Sequence, residues 1–384
     1  MSAMDGPSFD FTAPGRIVFG AGRSAELPRI LPEFGVRPLV VTGSNPARHA
    51  GLLEALDNPP VATVSGEPTL SSVREAVGAA RAADADVIVG LGGGAVLDTA
   101  KAVAVLAASG GDPLDHLEVV GRGLPLPAIV LPWIGVPTTA GTGSEMTMNA
   151  VVASPEHGVK ASIRGRSLLA KVALVDPLLT LDCPPAVSAS SGLDALTQCL
   201  EAFVTSKANP ITDGFCREGL RRAAAGLRRV YSDGSDVAAR TDMALSSALS
   251  GLALANAKLG AVHGFAGPLG GMIDAPHGAI CAALLPATTR INVRALSERA
   301  VGAALGRYSE AAAIITGHAD VTGLVAWLEE TNDLLGIPGL RDLGLAEDRI
   351  DEAVAKAGAA SSMKGNPIML TDSELTEILR AALD

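Results

Sequence analysis

Two rhythms of apolar and polar positions divide the chain. Up to residue 183, short apolar runs alternate with stretches of helical spacing. Residues 38–42 predict a buried strand that ends at Gly43-Ser44-Asn45-Pro46. Residues 61–64, 86–91 and 128–131 predict three more, the last closed by Pro132. Residues 71–83 and 98–108 carry apolar side chains at helical spacing. Strands alternating with helices imply a parallel sheet covered on both faces. After Asp182-Cys183-Pro184-Pro185 the pattern becomes helical throughout, with i, i+3, i+4 apolar spacing over 211–230, 237–257 and 321–335. The double proline disfavours helical backbone before it and is the expected boundary. The chain thus divides into an α/β domain over 1–183 and an all-helical domain over 184–384.

Composition changes this picture little. The 384 residues suit two domains of roughly 150 residues or more. Aromatics are only 3%, so the core must be built from Ala, Val, Leu and Ile. The formal net charge of −11 argues against nucleic acid or an anionic membrane as the main partner. Cys183, Cys199, Cys216 and Cys281 form no close pairs that would mark a disulfide or zinc framework. Met1 to Asp10 is polar and acidic, unlike a secretory signal. No uninterrupted apolar run reaches the ~18 residues of a membrane span. A reducing, cytoplasmic setting is expected.

Glycine clusters carry the first candidate chemistry. Gly92-Gly93-Gly94 follows a predicted strand and opens the stretch Ala95 to Lys101, which includes Asp98. Glycines there let backbone N–H groups approach a pyrophosphate, and a helix N-terminus adds a favourable partial charge. The spacing is not the usual dinucleotide fingerprint. Gly20-Ala21-Gly22 reads as a structural turn. A second cluster, Pro137 to Glu145, places Thr138, Thr139 and Thr142 among glycines after the fourth predicted strand. Hydroxyls with glycine freedom suit phosphate or nicotinamide contacts.

The metal candidates lie in the helical half. His263 and His277 sit in glycine-rich, apolar surroundings, whereas Asp194 and Gln198 stand four apart in an apolar helical stretch. That spacing puts both on one helix face. A carboxylate with two imidazoles suits Fe2+ or Zn2+.

Taken in order, these four motifs, with Ser362 to Pro367 as a late turn, resemble the iron-containing (group III) alcohol dehydrogenase family, which includes maleylacetate reductases. The resemblance runs from about Phe11 to the end. It implies an α/β dinucleotide-binding domain with a parallel sheet plus an all-α C-terminal domain, the dehydroquinate synthase-like fold, with a metal between them. It implies NAD(P)-dependent, metal-assisted hydride transfer between an alcohol and an aldehyde, in a homodimer or larger homo-oligomer. Asp194, His263 and His277 match three metal-holding, catalytic positions; at the fourth, usually histidine, stands Gln198, whose neutral carbonyl oxygen is a weaker ligand. Gly267 stands where many members carry a further histidine.

Coenzyme contacts fall by resemblance on Gly43, Ser44, Gly92, Gly93, Gly94, Ala95, Asp98, Thr138, Thr139, Thr142, Thr147, Asn149 and Lys160. NAD-preferring relatives often carry an aspartate after the 38–42 strand. Gly43 removes that repulsion, and Ser44 with Arg48 could hold a 2′-phosphate, so the balance falls to NADP. Lys364 could meet a substrate carboxylate. The alternatives are a metal-free reductase of an oxoacid resembling maleylacetate reductase, a same-fold glycerol dehydrogenase or dehydroquinate synthase-like lyase, and a nucleotide-binding protein without catalysis.

Overall fold

Six parallel strands form the centre of the N-terminal half. The computed structural model describes residues 7–384, so the first six residues of the polar stretch Met1 to Asp10 lie outside the described residues. The strands are β1 (Ile17–Phe19), β2 (Pro38–Gly43), β3 (Val61–Val64), β4 (Val87–Gly92), β5 (Trp133–Pro137) and β8 (Val172–Val175), in the order β1-β8-β5-β4-β2-β3. Every residue of β4 and β5 is buried. That is why they read as continuous apolar runs rather than as alternating ones. The connecting helical pieces are α1 (Leu27–Ile30), α2 (Ala50–Ala55), α3 (Leu70–Ala82), α4 (Gly94–Ser109) and α5 (Pro113–His116). A separate antiparallel hairpin, β6 (Asn149–Ser154) with β7 (Val159–Arg164), packs against α4.

Two expectations need correction. The fourth strand does not occupy 128–131. It begins after Pro132, and Ile129 is 75% exposed in an irregular lead-in. Gly135 and Pro137 interrupt the apolar pattern of the true strand, whereas 128–131 is apolar without being paired. The ladder needs buried backbone partners, and Trp133 supplies the anchor through its indole N–H, which donates to the Leu168 carbonyl at 2.8 Å. The helix expected over 98–108 starts four residues earlier, at Gly94. Strands β1 and β8 and the hairpin were not predicted; β1 is three residues long and β8 four, too short for a period to show.

The second half is helical: α6 (Pro185–Val204), α7 (Pro210–Ser232), α8 (Val237–Asn256), α9 (Ala261–Met272), α10 (His277–Glu298), α11 (Gly302–Thr316), α12 (Val321–Leu335), α13 (Ile350–Ala359) and α14 (Asp372–Ala381). Helix α6 runs through its middle, and from Gly192 to Val204 every residue is buried. A helix apolar on all sides belongs in a core, where any polar residue it carries needs a partner. Among the described residues no single helix is long and apolar enough to cross a membrane.

Candidate functional site

The sheet order reverses between β2 and β4, since the chain runs outward from β2 to β3 and then returns to β2's other side. In open parallel sheets, ligands bind outside the carboxyl ends of the strands at such a switch point. The register pairs Thr42 of β2 with Leu91 of β4. Gly43-Ser44 and Gly92-Gly93-Gly94 therefore leave the sheet side by side. Helix α4 starts there from Gly93, and no side chain caps its N-terminus.

The second glycine cluster folds over the first. The Thr138 N–H donates to the Gly92 carbonyl at 3.0 Å. A Cβ on Gly94 would lie 2.7 Å from the Thr142 methyl, and one on Gly93 would lie 3.3 Å from Thr139. Thr138, Thr139 and Thr142 are half-buried around the glycine turn. Asp98 and Thr147 hold this loop from behind. The Asp98 carboxylate accepts from the Ser144 hydroxyl at 2.6 Å, the Val151 N–H at 2.8 Å and Lys101 at 3.2 Å. Lys101, fully buried, also donates to Ser144 Oγ, Thr147 Oγ1 and the Asn149 carbonyl at 2.7–2.8 Å. Lys160, on β7, pairs with Glu67 at 2.9 Å and lays its stem against Gly270 of α9. Ser44 and Arg48 are exposed beyond β2, Ala95 is half-buried in the first turn of α4, and Lys364 is exposed. The Gly20–Gly22 turn is tied down by Asp176, which accepts from the Gly22 N–H at 3.0 Å.

The helical half contributes a compact group of donors. Asp194 comes from α6, His263 from α9, and His277 from the first position of α10. Asp194 Oδ1 lies 3.3 Å from His263 Nε2 and 3.9 Å from His277 Nε2. It is buried and has no hydrogen-bond partner. A buried carboxylate oxygen left bare among imidazole nitrogens fits a cation, and so do the residues around it.

Both halves of the chain match models of one family. Residues 14–177 match the model described as iron-containing alcohol dehydrogenase, and residues 188–383 match its C-terminal counterpart. The chain belongs to the iron-containing alcohol dehydrogenase family. It is 36% identical to the 1,3-propanediol dehydrogenase of Klebsiella pneumoniae over 83% of this chain and 81% of that one. Alcohol dehydrogenase 4 of Saccharomyces cerevisiae is 32% identical over the same shares. The crystal structure of a 1,3-propanediol oxidoreductase superposes with a TM-score of 0.89 at 31% identity, covering 98% of this chain and all of that one.

In this iron-containing alcohol dehydrogenase family member, three groups that sequence reasoning did not assign lie in or behind the donor cluster. Cys281, one turn after His277 on α10, places Sγ 3.6 Å from His277 Nε2 and 3.8 Å from His263 Nε2. Asp194, His263, His277 and Cys281 offer ligand atoms all within 4.8 Å of one another. Glu201 is the second addition. Its carboxylate accepts from the Val262 N–H and from His263 Nδ1, both at 2.7 Å, so it caps α9 and fixes the imidazole in one step. With Nδ1 committed to Glu201, Nε2 is the ring atom that faces Asp194. Ser250 is the third, donating to Gln198 Oε1 at 3.0 Å. Spacing could have flagged Glu201, which stands seven residues after Asp194 on the same face of α6, and Cys281, four after His277.

Burial opposes charge on Asp194, but His263 and His277 hold its carboxyl below the usual range. Burial pushes the His277 imidazole down to about 4, leaving it neutral. Burial opposes charge on His263, but its contacts with Cys281, Asp194 and Glu201 raise it well above the usual value. Burial pushes the Cys281 thiol up to about 12.

Gln198 does not face the cluster with its oxygen. Its Nε2 donates to Asp194 Oδ2 at 2.9 Å. An ionised carboxylate only accepts, so the amide must present its NH2 there and its oxygen to Ser250. In this structure the Gln198 amide nitrogen holds Asp194 and its oxygen accepts from Ser250, so the side chain is placed to orient the carboxylate.

Proposed function

We propose that this enzyme interconverts a small, uncharged alcohol and its aldehyde, using NADP in preference to NAD. Membership of the family makes it an NAD(P)-dependent oxidoreductase acting on CH–OH donors. The observation that carries the metal-assisted reading is the bare, buried Oδ1 of Asp194 between two imidazole nitrogens. When bound, the nicotinamide supplies or accepts the hydride and the metal supplies Lewis acidity at the substrate oxygen. Asp194, His263 and His277 would hold that metal. Glu201 keeps the Nδ1 proton of His263, and Gln198 keeps Asp194 turned inward.

Gly43, Ser44, Gly92, Gly93, Gly94, Ala95, Thr138, Thr139 and Thr142 form the proposed coenzyme cradle, with Asp98 and Thr147 as its braces. Asn149 and Lys160 face the nicotinamide end. A neutral substrate is in keeping with Lys160, whose charge is already paired with Glu67. The NADP preference follows from exposed Ser44 and Arg48 after β2, where no carboxylate repels a 2′-phosphate. The proposed domain boundary, 183/184, lies just before α6 begins at Pro185. A cytoplasmic homodimer or larger homo-oligomer is the proposed setting, in keeping with four unpaired cysteines.

The test is nicotinamide turnover on matched aldehyde and oxoacid panels, before and after complete metal removal. Aldehydes turned over with NADPH, with loss on metal removal and recovery on re-addition, is the expected result. Oxoacid turnover unchanged by metal removal would replace this reading with the metal-free reductase.

A further inference from the structure

We propose that Cys281 is the fourth protein ligand of the metal, taking the place that Gln198 does not fill, and that the site is thereby built for zinc. The proposal rests on the metal-assisted reading above and says which donors and which ion that reading entails.

The distances carry it. Donors bound tetrahedrally at the ~2.0–2.3 Å typical of zinc with oxygen, nitrogen and sulfur stand about 3.3–3.6 Å from one another. The observed separations are 3.3 Å for Asp194 Oδ1 to His263 Nε2, 3.9 Å for Asp194 Oδ1 to His277 Nε2, 3.8 Å for Cys281 Sγ to His263 Nε2 and 3.6 Å for Cys281 Sγ to His277 Nε2. Four of the six donor separations are thus within a few tenths of an ångström of those around a bound zinc ion, and the other two are no longer than 4.8 Å. The Oδ1 of Asp194 is buried and has no hydrogen-bond partner. Cys281 is buried, and its Sγ contacts in hydrogen-bond range are the two imidazoles.

Gln198 has both ends of its amide engaged outside the four-donor group's own contacts. Its NH2 must face Asp194 Oδ2, and its oxygen is engaged by Ser250. The other buried cysteines make a useful contrast. Cys199 and Cys216 lie in the helical core, and among the described residues neither joins a group of metal-binding side chains. Cys281 does so because α10 presents it one turn below His277.

The ion follows from the donors. A thiolate is soft, and divalent sites bind zinc more tightly than ferrous iron. Two imidazoles, one carboxylate and one thiolate are all donors that zinc takes, and the substrate oxygen would enter as a fifth donor, an expansion that catalytic zinc allows. On coordination the Cys281 thiol loses its proton to solvent, and the metal gains an anionic sulfur. The cluster is open mainly on one side, where the His277 side chain is 31% exposed, against 8% for His263 and 2% for Asp194.

X-ray absorption at the zinc edge tests this on the full-length protein, stripped of metal and reloaded with one equivalent of zinc. The expected spectrum has one sulfur scatterer at about 2.3 Å beside nitrogen and oxygen at about 2.0–2.1 Å. Cys281→Ser should lose the sulfur shell and weaken zinc binding about 100-fold; Cys183→Ser should keep both. Iron offered in equal amount should lose the competition in the wild type. A zinc site of nitrogen and oxygen alone would overturn the ligand assignment while leaving the metal-assisted reading standing. Failure to take up any divalent ion would remove both. The wild-type spectrum decides the matter even if Cys281→Ser does not fold.

Discussion

Buried ionisable side chains separate what holds this protein together from what it does. Two imidazoles face Asp194 and hold its carboxyl below the usual range, whereas burial lowers the Lys101 ammonium against the pull of Asp98 and three oxygen acceptors. Glu145 is different. Burial raises its carboxyl from 4.5 to about 7, only partly offset by its own backbone N–H and by Lys101. Below pH 4.5 it is protonated both folded and unfolded. Between 4.5 and 7 the folded chain keeps a proton that the unfolded chain has released. Its contribution to stability is therefore lost as pH rises through that window and stays lost above it. Glu145→Gln should raise the melting temperature at pH 8 and change it little at pH 4.5, with a gain of at most about 3 kcal/mol. An equal gain at both pH values would count against a titrating Glu145.

Among the elements, the loop from Pro137 to Thr147 joins the two halves. Its front covers the Gly92–Gly94 turn, and its far side rests on helices α6 and α8. The contact with α8 is backbone on backbone: Gly143 takes φ +56°, and a Cβ on Gly251 would sit 2.3 Å from the Gly143 carbonyl oxygen. A Cβ on Gly141 would meet Ser191 of α6 at 2.5 Å. Glycine is required at such contacts by close approach rather than by flexibility. Gly251→Ala should cost about 1–3 kcal/mol by overpacking. Because the same loop covers the proposed coenzyme turn, it should also raise the Kd for NADPH. Calorimetric melting and coenzyme titration on one preparation check both effects; loss of stability with unchanged Kd would uncouple the loop from the coenzyme.

At the scale of the whole molecule, the family's two parts share these contacts and should melt as one. A single calorimetric transition is expected. NADPH at 100 times its Kd should stabilise the protein by about 2.7 kcal/mol in that same transition. Two separated transitions, with only the first moved by coenzyme, would show that the helical half is stable without the loop. The packing explains the expectation: α6 is buried along most of its length, and the loop covers its N-terminal portion near Ser191.

The sequence by itself determined the architecture, because the two apolar rhythms that encode it are local. It determined the glycine turns for the same reason, since their residues are contiguous. It reached Asp194, His263 and His277 through motif order. Short strands such as β1 and the true position of β5 were not legible, because pairing partners far away in sequence define them. The contacts of Gln198, Glu201, Ser250 and Cys281 were decided only by the tertiary structure. Each depends on which atom of a side chain on one helix meets which atom on another. A glutamine that reads as a substituted ligand becomes the group that orients Asp194, once the carboxylate dictates which end of the amide it can accept. A cysteine without a sequence motif becomes a ligand candidate, once α9 and α10 bring two imidazoles beside it.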